Sequence, residues 1–533
     1  MLDANKAYIW LHSNMKGVSK LEENVHTKPP TGGGTKKIAA IVIAAVLVIG
    51  GAVAAFAFLN KSPKEKYFTA EKNTLDFLQE QFNKRYEPEV KWSDQTKEKP
   101  TETTYELSAE YKDPDASAFG ASQQAEFINN SSLTVKTGVD HKAKVGTADI
   151  SADINGLEIG GLRFGLTKDE FTAKLPFFKD TLLVKSKDVP KLLNEMEPGT
   201  AKDDCTLDFA TFFEQSSIPE KDQEYLKKEY LDYLYNEFPD EAFETTKEDV
   251  KINGKDAVKT EKIKMHLTEK QLKEILSKLF DKAAKDKRLK KMITQQTASQ
   301  CFVTTDEDPY KQFEDSLKDA KKKLNEAKIP NGVTSTIWVK DDLIVKRDFT
   351  LAVKDEELAK VRISGTQDLQ DEKQTFDYKI KASGDSSSDD QTLTAKAEFS
   401  WKDSKAKDTA EIDFEDGKLT YEGNETLKDG KRTFTRVFSA KNGQSNDAYS
   451  ITWSGDAKYD KNGMKSNHEL SANAPDLGGD VLKLFIKKDG KNVKKIELPE
   501  KKNVKDLGSM TAEEIEDYFT NEVAPAIESQ FGF

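Results

Sequence analysis

Residues 393–401 read LTAKAEFSW, so that apolar side chains alternate with polar ones. Such a period of two is typical of a β-strand that has one face on a core and the other in water. The alternation recurs between Pro330 and Pro475, a stretch without proline, which disrupts the ladder of an interior strand. The other alternating segments are 349–353, 376–380, 412–414, 419–421, 434–438 and 449–453.

Asp-Gly and Asn-Gly pairs separate these segments, for example at Asp429-Gly430. Such pairs readily adopt the positive φ angles that tight turns require. The stretch therefore predicts an antiparallel meander of about eight strands in the C-terminal half. Thr511 followed by Glu514 predicts a capping box, which opens a C-terminal helix over the apolar side of the sheet.

Upstream, residues 105–111 and 133–135 also alternate, and Asn253-Gly254 predicts a hairpin turn. Thr268 with Gln271 predicts a second capped helix, which buries apolar positions between residues 272 and 280. Thr167 with Glu170 predicts a third, short helix that Pro176 ends. This region is expected to combine strands and amphipathic helices.

A long helix is predicted to begin after Pro63 and to end near Tyr86. Phe68, Leu75 and Phe82 recur at helical spacing, which indicates an apolar stripe packed on the following domain.

Residues 38–59 form a run of 22 uncharged residues in a chain that is 33% charged. At about 1.5 Å per residue, such a helix spans the hydrocarbon core of a bilayer, so it is expected to be a transmembrane helix. A cleaved signal peptide is the alternative, since Ala55 and Ala57 flank Phe56 as at a cleavage site. The absence of a nearby cysteine excludes a lipoprotein.

The net charge of the leader, residues 1–37, is +3, whereas the whole chain carries −12. The balance of basic residues places the leader in the cytoplasm and the acidic remainder outside. The predicted localisation is therefore a cell membrane, with one span. The predicted fold class is α+β, in which the transmembrane helix precedes an extracytoplasmic antiparallel sheet with amphipathic helices on one face.

Five segments are predicted from these patterns. They are the leader at 1–37, the transmembrane helix at 38–59, a juxtamembrane helix and linker at 60–100, an α+β region at 101–330, and the meander with its C-terminal helix at 331–533.

The acidic balance, with 94 Asp and Glu against 82 Lys and Arg, argues against a nucleic-acid partner. The sequence contains no phosphate-binding loop, no nucleophile elbow and no metal-ligand spacing, so we expect no cofactor, no metal site and no catalytic residue. Cys205 and Cys301 are the only cysteines, and they form either a structural disulfide or two separate buried thiols.

The order of features resembles a set of uncharacterised Gram-positive single-pass membrane proteins. The resemblance rests on Lys36-Lys37 before the apolar run and on residues 67–75, 253–279 and 509–514. It implies a large extracytoplasmic region and carries no activity. A sheet with helices over one face is also similar, in architecture alone, to LolA-like lipoprotein carriers.

Three functions follow as hypotheses. The first is a membrane-anchored envelope protein without catalysis, which binds an envelope protein partner or a lipidic ligand through its β-rich region. The second is a transmembrane signalling or regulatory protein whose leader contacts a cytoplasmic factor. The third is an envelope hydrolase. The sequence favours a protein that is not an enzyme and does not decide the question.

Overall fold

The structure is a computed structural model. It describes residues 62–112, 123–176, 178–196, 201, 207, 209–213, 220–298, 309–354, 358–384, 390–443 and 448–531.

Twenty strands of the described residues form one hydrogen-bonded sheet. Their bounds are β1 Thr101–Tyr111, β2 Ser131–Asp140, β3 Val145–Ile154, β4 Leu157–Thr167, β5 Glu170–Lys174, β6 Thr181–Lys185, β7 Phe243–Lys251, β8 Ala257–Leu267, β9 Val333–Lys340, β10 Leu343–Lys354, β11 Leu358–Gln370, β12 Lys373–Ser383, β13 Gln391–Ser400, β14 Lys405–Phe414, β15 Gly417–Lys428, β16 Lys431–Asn442, β17 Ala448–Tyr459, β18 Gly463–Ala474, β19 Gly479–Asn492 and β20 Val504–Asp506.

In space the sheet runs from β7 through β19 in chain order, continues with β1 through β6, and ends at β20. Each strand pairs antiparallel with its neighbour except β20, which lies parallel to β6. The junction of the two runs is β1 against β19, where Thr101 lies opposite Asn492 and Tyr111 lies opposite Leu482. Strands from the two ends of the described chain therefore meet inside the sheet.

The described residues also contain eleven helices. Their bounds are α1 Pro63–Arg85, α2 Glu87–Glu98, α3 Gln123–Asn129, α4 Val189–Met196, α5 Glu220–Leu226, α6 Asp232–Glu237, α7 Glu269–Lys285, α8 Lys287–Ala298, α9 Pro309–Glu326, α10 Ala512–Tyr518 and α11 Ala524–Phe531. Single π-helical turns join α5 to α6, at Lys227–Leu231, and α10 to α11, at Phe519–Val523.

The largest core lies where α1, α6 and α7 pack on β8–β10. Tyr67 and Phe68 of α1 are buried there with Phe238, Ile263 and Leu272. The rings of Phe68 and Phe238 meet edge to face, with 5.4 Å between centroids, a geometry that aromatic pairs favour. This end of the sheet is thus covered by helices.

A smaller core covers the other end of the sheet. Leu507, Tyr518 and Val523 pack there with side chains of β6 such as Leu182 and Val184. Between the two cores, from β12 to β18, few apolar side chains of the described residues are fully buried; they are Ala406, Phe434, Ala457 and Met464.

The predicted fold class was wrong in two respects. The sheet has twenty strands instead of about eight, and it joins residues 101–185 to the C-terminal strands. The pairing of β1 with β19 causes the difference, because it connects strands about 380 residues apart, which no local pattern reveals. In the described residues, no helix is long and apolar enough to cross a membrane. Residues 38–59 lie outside the described residues.

The helix predicted at Thr167 was also wrong. Thr167 Oγ1 accepts hydrogen bonds from the backbone N–H groups of Asp169 and Glu170, as a helix cap does. The chain then continues as β5, because pairing with β4 and β6 outweighs the local preference.

Two of the three predicted capping boxes are confirmed, those of Thr268 and Thr511. The helix after Pro63 is confirmed as α1, but its predicted stripe is not. Leu75 and Phe82 are exposed, and Tyr67, one residue before Phe68, is buried instead. The predicted domain boundaries stay a prediction.

Candidate binding face

The strand register gathers apolar side chains on one side of the sheet, which we call the apolar face. Tyr421 lies opposite Phe438, and Phe438 lies opposite Ile451. The same row continues through Ala472 to Leu482. Members of the face on each strand from β12 to β2 include Tyr378, Ala395, Ile412, Leu419, Phe438, Ile451, Ala472, Leu482, Leu107 and Leu133.

The opposite side of these strands is charged and forms cross-strand ion pairs. Lys418 lies 2.8 Å from Glu411, and Lys465 lies 2.8 Å from Asp489. Exposed pairs of this kind stabilise a fold by less than about 1 kcal/mol. They keep this side hydrated, so the two sides of the sheet differ sharply in chemistry.

Much of the apolar face is accessible to solvent. Phe438 is 46% exposed, Ile451 52% and Leu482 41%, and the three lie in one cross-strand row. Isolated exposed apolar residues are ordinary, but contiguous ones mark interaction sites.

Helices α1 and α2 form a helical arm, residues 63–98, whose second helix lies across part of the apolar face. A Cβ atom added at Gly490 would lie 3.0 Å from the ring of Trp92, so the helix approaches the sheet closely. Asn492 Nδ2 donates to Gln95 Oε1 at 3.0 Å, and Arg432 Nε donates to Glu89 Oε1 at 2.6 Å. The arm therefore covers strands β16–β19 along one margin.

An ion cluster attaches the arm to the sheet. Arg85 donates to both carboxylate oxygens of Asp408, at 2.6 and 3.1 Å. Glu425 accepts hydrogen bonds from Arg436 at 2.5 Å and from Arg432 at 3.1 Å. With Glu89, the ion cluster holds three arginines and three carboxylates, so its charges balance.

Burial alone disfavours the ionised form of Glu425. The hydrogen bond from Arg436 and the charges of Arg85 and Arg432 outweigh burial and lower the pKa of Glu425. The guanidinium of Arg436 is likewise desolvated, but its hydrogen bond to Glu425 raises its pKa. The paired charges of the ion cluster thus hold the arm in place.

Aromatic side chains occupy the apolar face beside the cluster. Phe434 and Trp453 meet edge to face, with 5.2 Å between ring centroids. Trp453 Nε1 donates to His468 Nδ1 at 3.2 Å, and His468 Nε2 lies 3.0 Å from Ser466 Oγ. Burial, then the charge of Lys488, lowers the pKa of His468, so its imidazole is neutral at pH 7.

A groove of about 450 Å3 separates the arm from β16. Its lining residues are Phe82, Tyr86, Glu89, Val90, Ser93 and Arg436. A larger depression, of about 880 Å3, is lined mainly by hydroxyl and charged side chains of the polar side, such as Thr426, Thr433 and Lys407. The groove is the better site for an apolar ligand because apolar side chains such as Phe82 and Val90 line it.

The predicted structural residues Cys205 and Cys301 lie outside the described residues. In the part of the chain that the structure describes, no three His, Cys, Asp or Glu side chains are grouped to hold a metal ion. His141 and His266 contact the Phe213 carbonyl and Thr334, respectively.

Sequence reasoning missed the ion cluster, although a signal was present. Asp408 and Glu425 occupy positions whose period-two neighbours are apolar or glycine, as Arg436 does between Phe434 and Phe438. A charge at an apolar-face position requires a partner nearby.

No protein-family model and no curated protein matches this chain. Solved structures do match. Pseudomonas aeruginosa OccK5 (OpdH) is 8% identical, with 74% of this chain and 98% of that chain covered and a TM-score of 0.24. P. aeruginosa OccK3 (OpdO) is 6% identical, with 74% and 95% covered and a TM-score of 0.24.

These neighbours are outer-membrane porins, and neither single-pass nor LolA-like proteins. The predicted resemblance, the predicted envelope function with its alternatives, and the predicted single-pass localisation were therefore wrong. Of the predicted partners, association with a membrane agrees with what these neighbours are. A lipid partner does not agree with them. Identities of 8% and 6% with TM-scores of 0.24 carry no statement about what this chain binds.

Proposed function

We propose that this chain binds a small aromatic solute on the apolar face, beside the helical arm. The observation that carries the proposal is the exposed row Phe438, Ile451 and Leu482 in a chain that is 33% charged. Covering this row removes apolar surface from water, which stabilises a complex by about 25 cal/mol per Å2.

The rings on the face favour an aromatic solute. Tyr421 and Phe438 lie 4.9 Å apart between centroids with a 38° tilt, so a third ring can extend the pair. Arg436 lies 4.7 Å from the Trp453 ring, which polarises that ring and strengthens its contacts. Aromatic pairs gain about 0.5–1.5 kcal/mol beyond the area they bury.

The ion cluster supports binding by fixing the arm. Since Arg85 and Glu89 of the arm both pair with charged groups of the sheet, the wall of the groove is formed before a ligand arrives. A preformed site loses less conformational entropy when it binds.

The experiment uses the purified full-length chain and N-phenyl-1-naphthylamine, a neutral aromatic probe whose fluorescence rises in apolar surroundings. We expect saturable binding, weakened about tenfold or more by Phe438→Ser combined with Ile451→Ser, since each apolar contact contributes about 1 kcal/mol or more.

The matched control is Leu75→Ser combined with Phe212→Ser, because both side chains are 61% exposed outside the apolar face. The control variant is expected to bind like the natural chain. Equal affinity in all three proteins, or no saturable binding, contradicts the proposal.

A further inference from the structure

Arg436 is the arginine of the ion cluster that also lines the groove beside the helical arm. Its Nε and Nη2 donate to Glu425 Oε1, at 3.0 and 2.5 Å, and Nη2 lies 3.4 Å from the Tyr86 hydroxyl. Among the described residues, Nη1 of Arg436 has no acceptor. In Arg85 and Arg432, by contrast, all three guanidinium nitrogens donate to protein oxygens. Arg436 therefore keeps one donor nitrogen for a further acceptor.

This nitrogen is accessible, although the rest of the side chain is held. The described polar atoms that are both buried and without a partner do not include Arg436 Nη1, so this atom reaches solvent. Only 14% of the Arg436 side chain is exposed, and its guanidinium lies 4.7 Å from the ring centroids of Phe434 and Trp453. A donor that is fixed in advance loses little conformational freedom when a ligand binds to it.

The walls of the groove suit an aromatic ring. Phe82 is 54% exposed, and its ring centroid lies 4.9 Å from that of Tyr86, while Val90 adds an aliphatic surface. The volume of about 450 Å3 lies within the range of small-molecule sites. Arg436 precedes Phe438 by two residues on the same side of β16, about 7 Å along the strand. A ligand in the groove therefore extends to the exposed row of the apolar face.

The charges around the groove favour a neutral acceptor. The ion cluster balances three arginines with three carboxylates, and one of these, Glu89, lines the groove itself. A carboxylate on the ligand would lie near Glu89 and Glu425 and would be repelled by both. The hydroxyl of Ser93 also lines the groove, but Ser93 is exposed, so water already satisfies it.

We infer that Arg436 Nη1 donates to a carbonyl oxygen of the solute, so that the ligand is an uncharged aromatic compound that bears a carbonyl group. The aromatic body lies against Phe82 and Tyr86 and reaches Phe438. Hydrogen bonds from an ionised donor are stronger than those between neutral groups, so the carbonyl adds specificity to the apolar contacts. This inference rests on the proposed function and names its class of ligand.

The test compares 2-acetylnaphthalene with 2-isopropenylnaphthalene, which has the same shape but a methylene group in place of the carbonyl oxygen. Dissociation constants are measured by equilibrium dialysis against the purified full-length chain. We expect the natural chain to bind the ketone about tenfold more tightly than the alkene, the range of a charge-assisted hydrogen bond. 2-Naphthoate, which carries a carboxylate, is expected to bind more weakly than the ketone.

Arg436→Lys keeps a positive charge beside Glu425 but removes the planar fork of donors. It is expected to reduce the advantage of the ketone to less than about threefold, as measured by the same dialysis. Arg362→Lys is the matched control, because Arg362 pairs with Asp348 outside the groove, where 53% of its side chain is exposed. That variant should keep the full advantage. The comparison of the two compounds on the natural chain holds whether or not either variant folds.

The outcomes separate the two proposals. If the natural chain binds the ketone and the alkene with equal affinity, or binds 2-naphthoate more tightly than the ketone, the inference fails and the proposed function stands. If a folded Arg436→Lys variant keeps the tenfold advantage, the inference also fails. If none of the three compounds binds the natural chain, both proposals fail.

Discussion

Arg85 and Asp408 lie 323 positions apart in the chain, yet the guanidinium of one donates to the carboxylate of the other at 2.6 Å. Side chains of both residues are almost completely buried, with 10% and 2% exposed. This pair fixes the arm, which precedes the first strand, to a strand in the second half of the sheet. Its contribution can be measured.

Asp408→Ala is expected to lower the free energy of unfolding by about 3–5 kcal/mol, because it leaves the Arg85 guanidinium buried without its bidentate partner. Guanidinium chloride titration followed by circular dichroism measures the loss. Asp76→Ala is the control, since Asp76 pairs with Lys72 on an exposed helical surface. That change is expected to cost less than about 1 kcal/mol. Equal losses in both variants contradict a stabilising role for the buried pair.

The stability of the chain is expected to fall in acid through Glu425. Its pKa is lowered in the folded state, so it contributes stability that is fully present above the unfolded pKa of about 4.3. That contribution is lost as the pH falls through the lower, folded pKa. Unfolding free energies measured from pH 7 to pH 3 should therefore decline less in Glu425→Gln than in the natural chain. The variant should also be less stable at pH 7; parallel pH profiles would count against this assignment.

Gly332 is expected to tolerate no side chain. Its φ is +63°, and a Cβ atom there would lie 1.9 Å from the carbonyl oxygen of Leu267. Gly332→Ala should lower the free energy of unfolding by about 2–4 kcal/mol, since the backbone must move. Gly254→Ala is the control, because Gly254 has φ +75° with no atom within 4 Å of the added Cβ. It should cost about 1–2 kcal/mol, the cost of the left-handed conformation alone.

The capping box of α7 offers a test of local helix stability. Thr268 Oγ1 accepts from the backbone N–H of Gln271 at 3.3 Å, and the side chain of Gln271 accepts from the N–H of Thr268 at 3.0 Å. Thr268→Ala should cost about 1 kcal/mol. Thr268→Ser keeps the hydroxyl and should cost a few tenths. Thermal unfolding distinguishes them, and a serine variant as unstable as the alanine variant would show that the hydroxyl is not the cause.

The sequence predicted turns and helix caps correctly where the residues that form them lie close together in the chain. Asn253 and Gly254 both have positive φ, as the turn prediction required. Thr268 and Thr511 cap helices because their partners lie three residues away.

Thr167 shows where a single motif misleads, because its cap-like hydrogen bonds lie in the turn between β4 and β5 and the pairing of these strands excludes a helix. Part of the binding face could be predicted from the sequence. The period of two already placed Phe438 and Arg436 on one side of a strand. It gave no sign that Arg85 of the arm would reach the same site, since nothing in the sequence links a helix at residue 85 to Glu425.

The pairing of β1 with β19 limits when the sheet can be completed during synthesis. Thr101 and Asn492 are hydrogen-bonding neighbours separated by 391 positions. During synthesis, β1 leaves the ribosome long before β19 exists, so the edge of β1 that pairs with β19 stays open until then. Strands β7 to β19 can pair one after another as they are made, because each strand pairs with the strand that precedes it in the chain. Until β1 and β19 pair, both strands present an open edge to self-association.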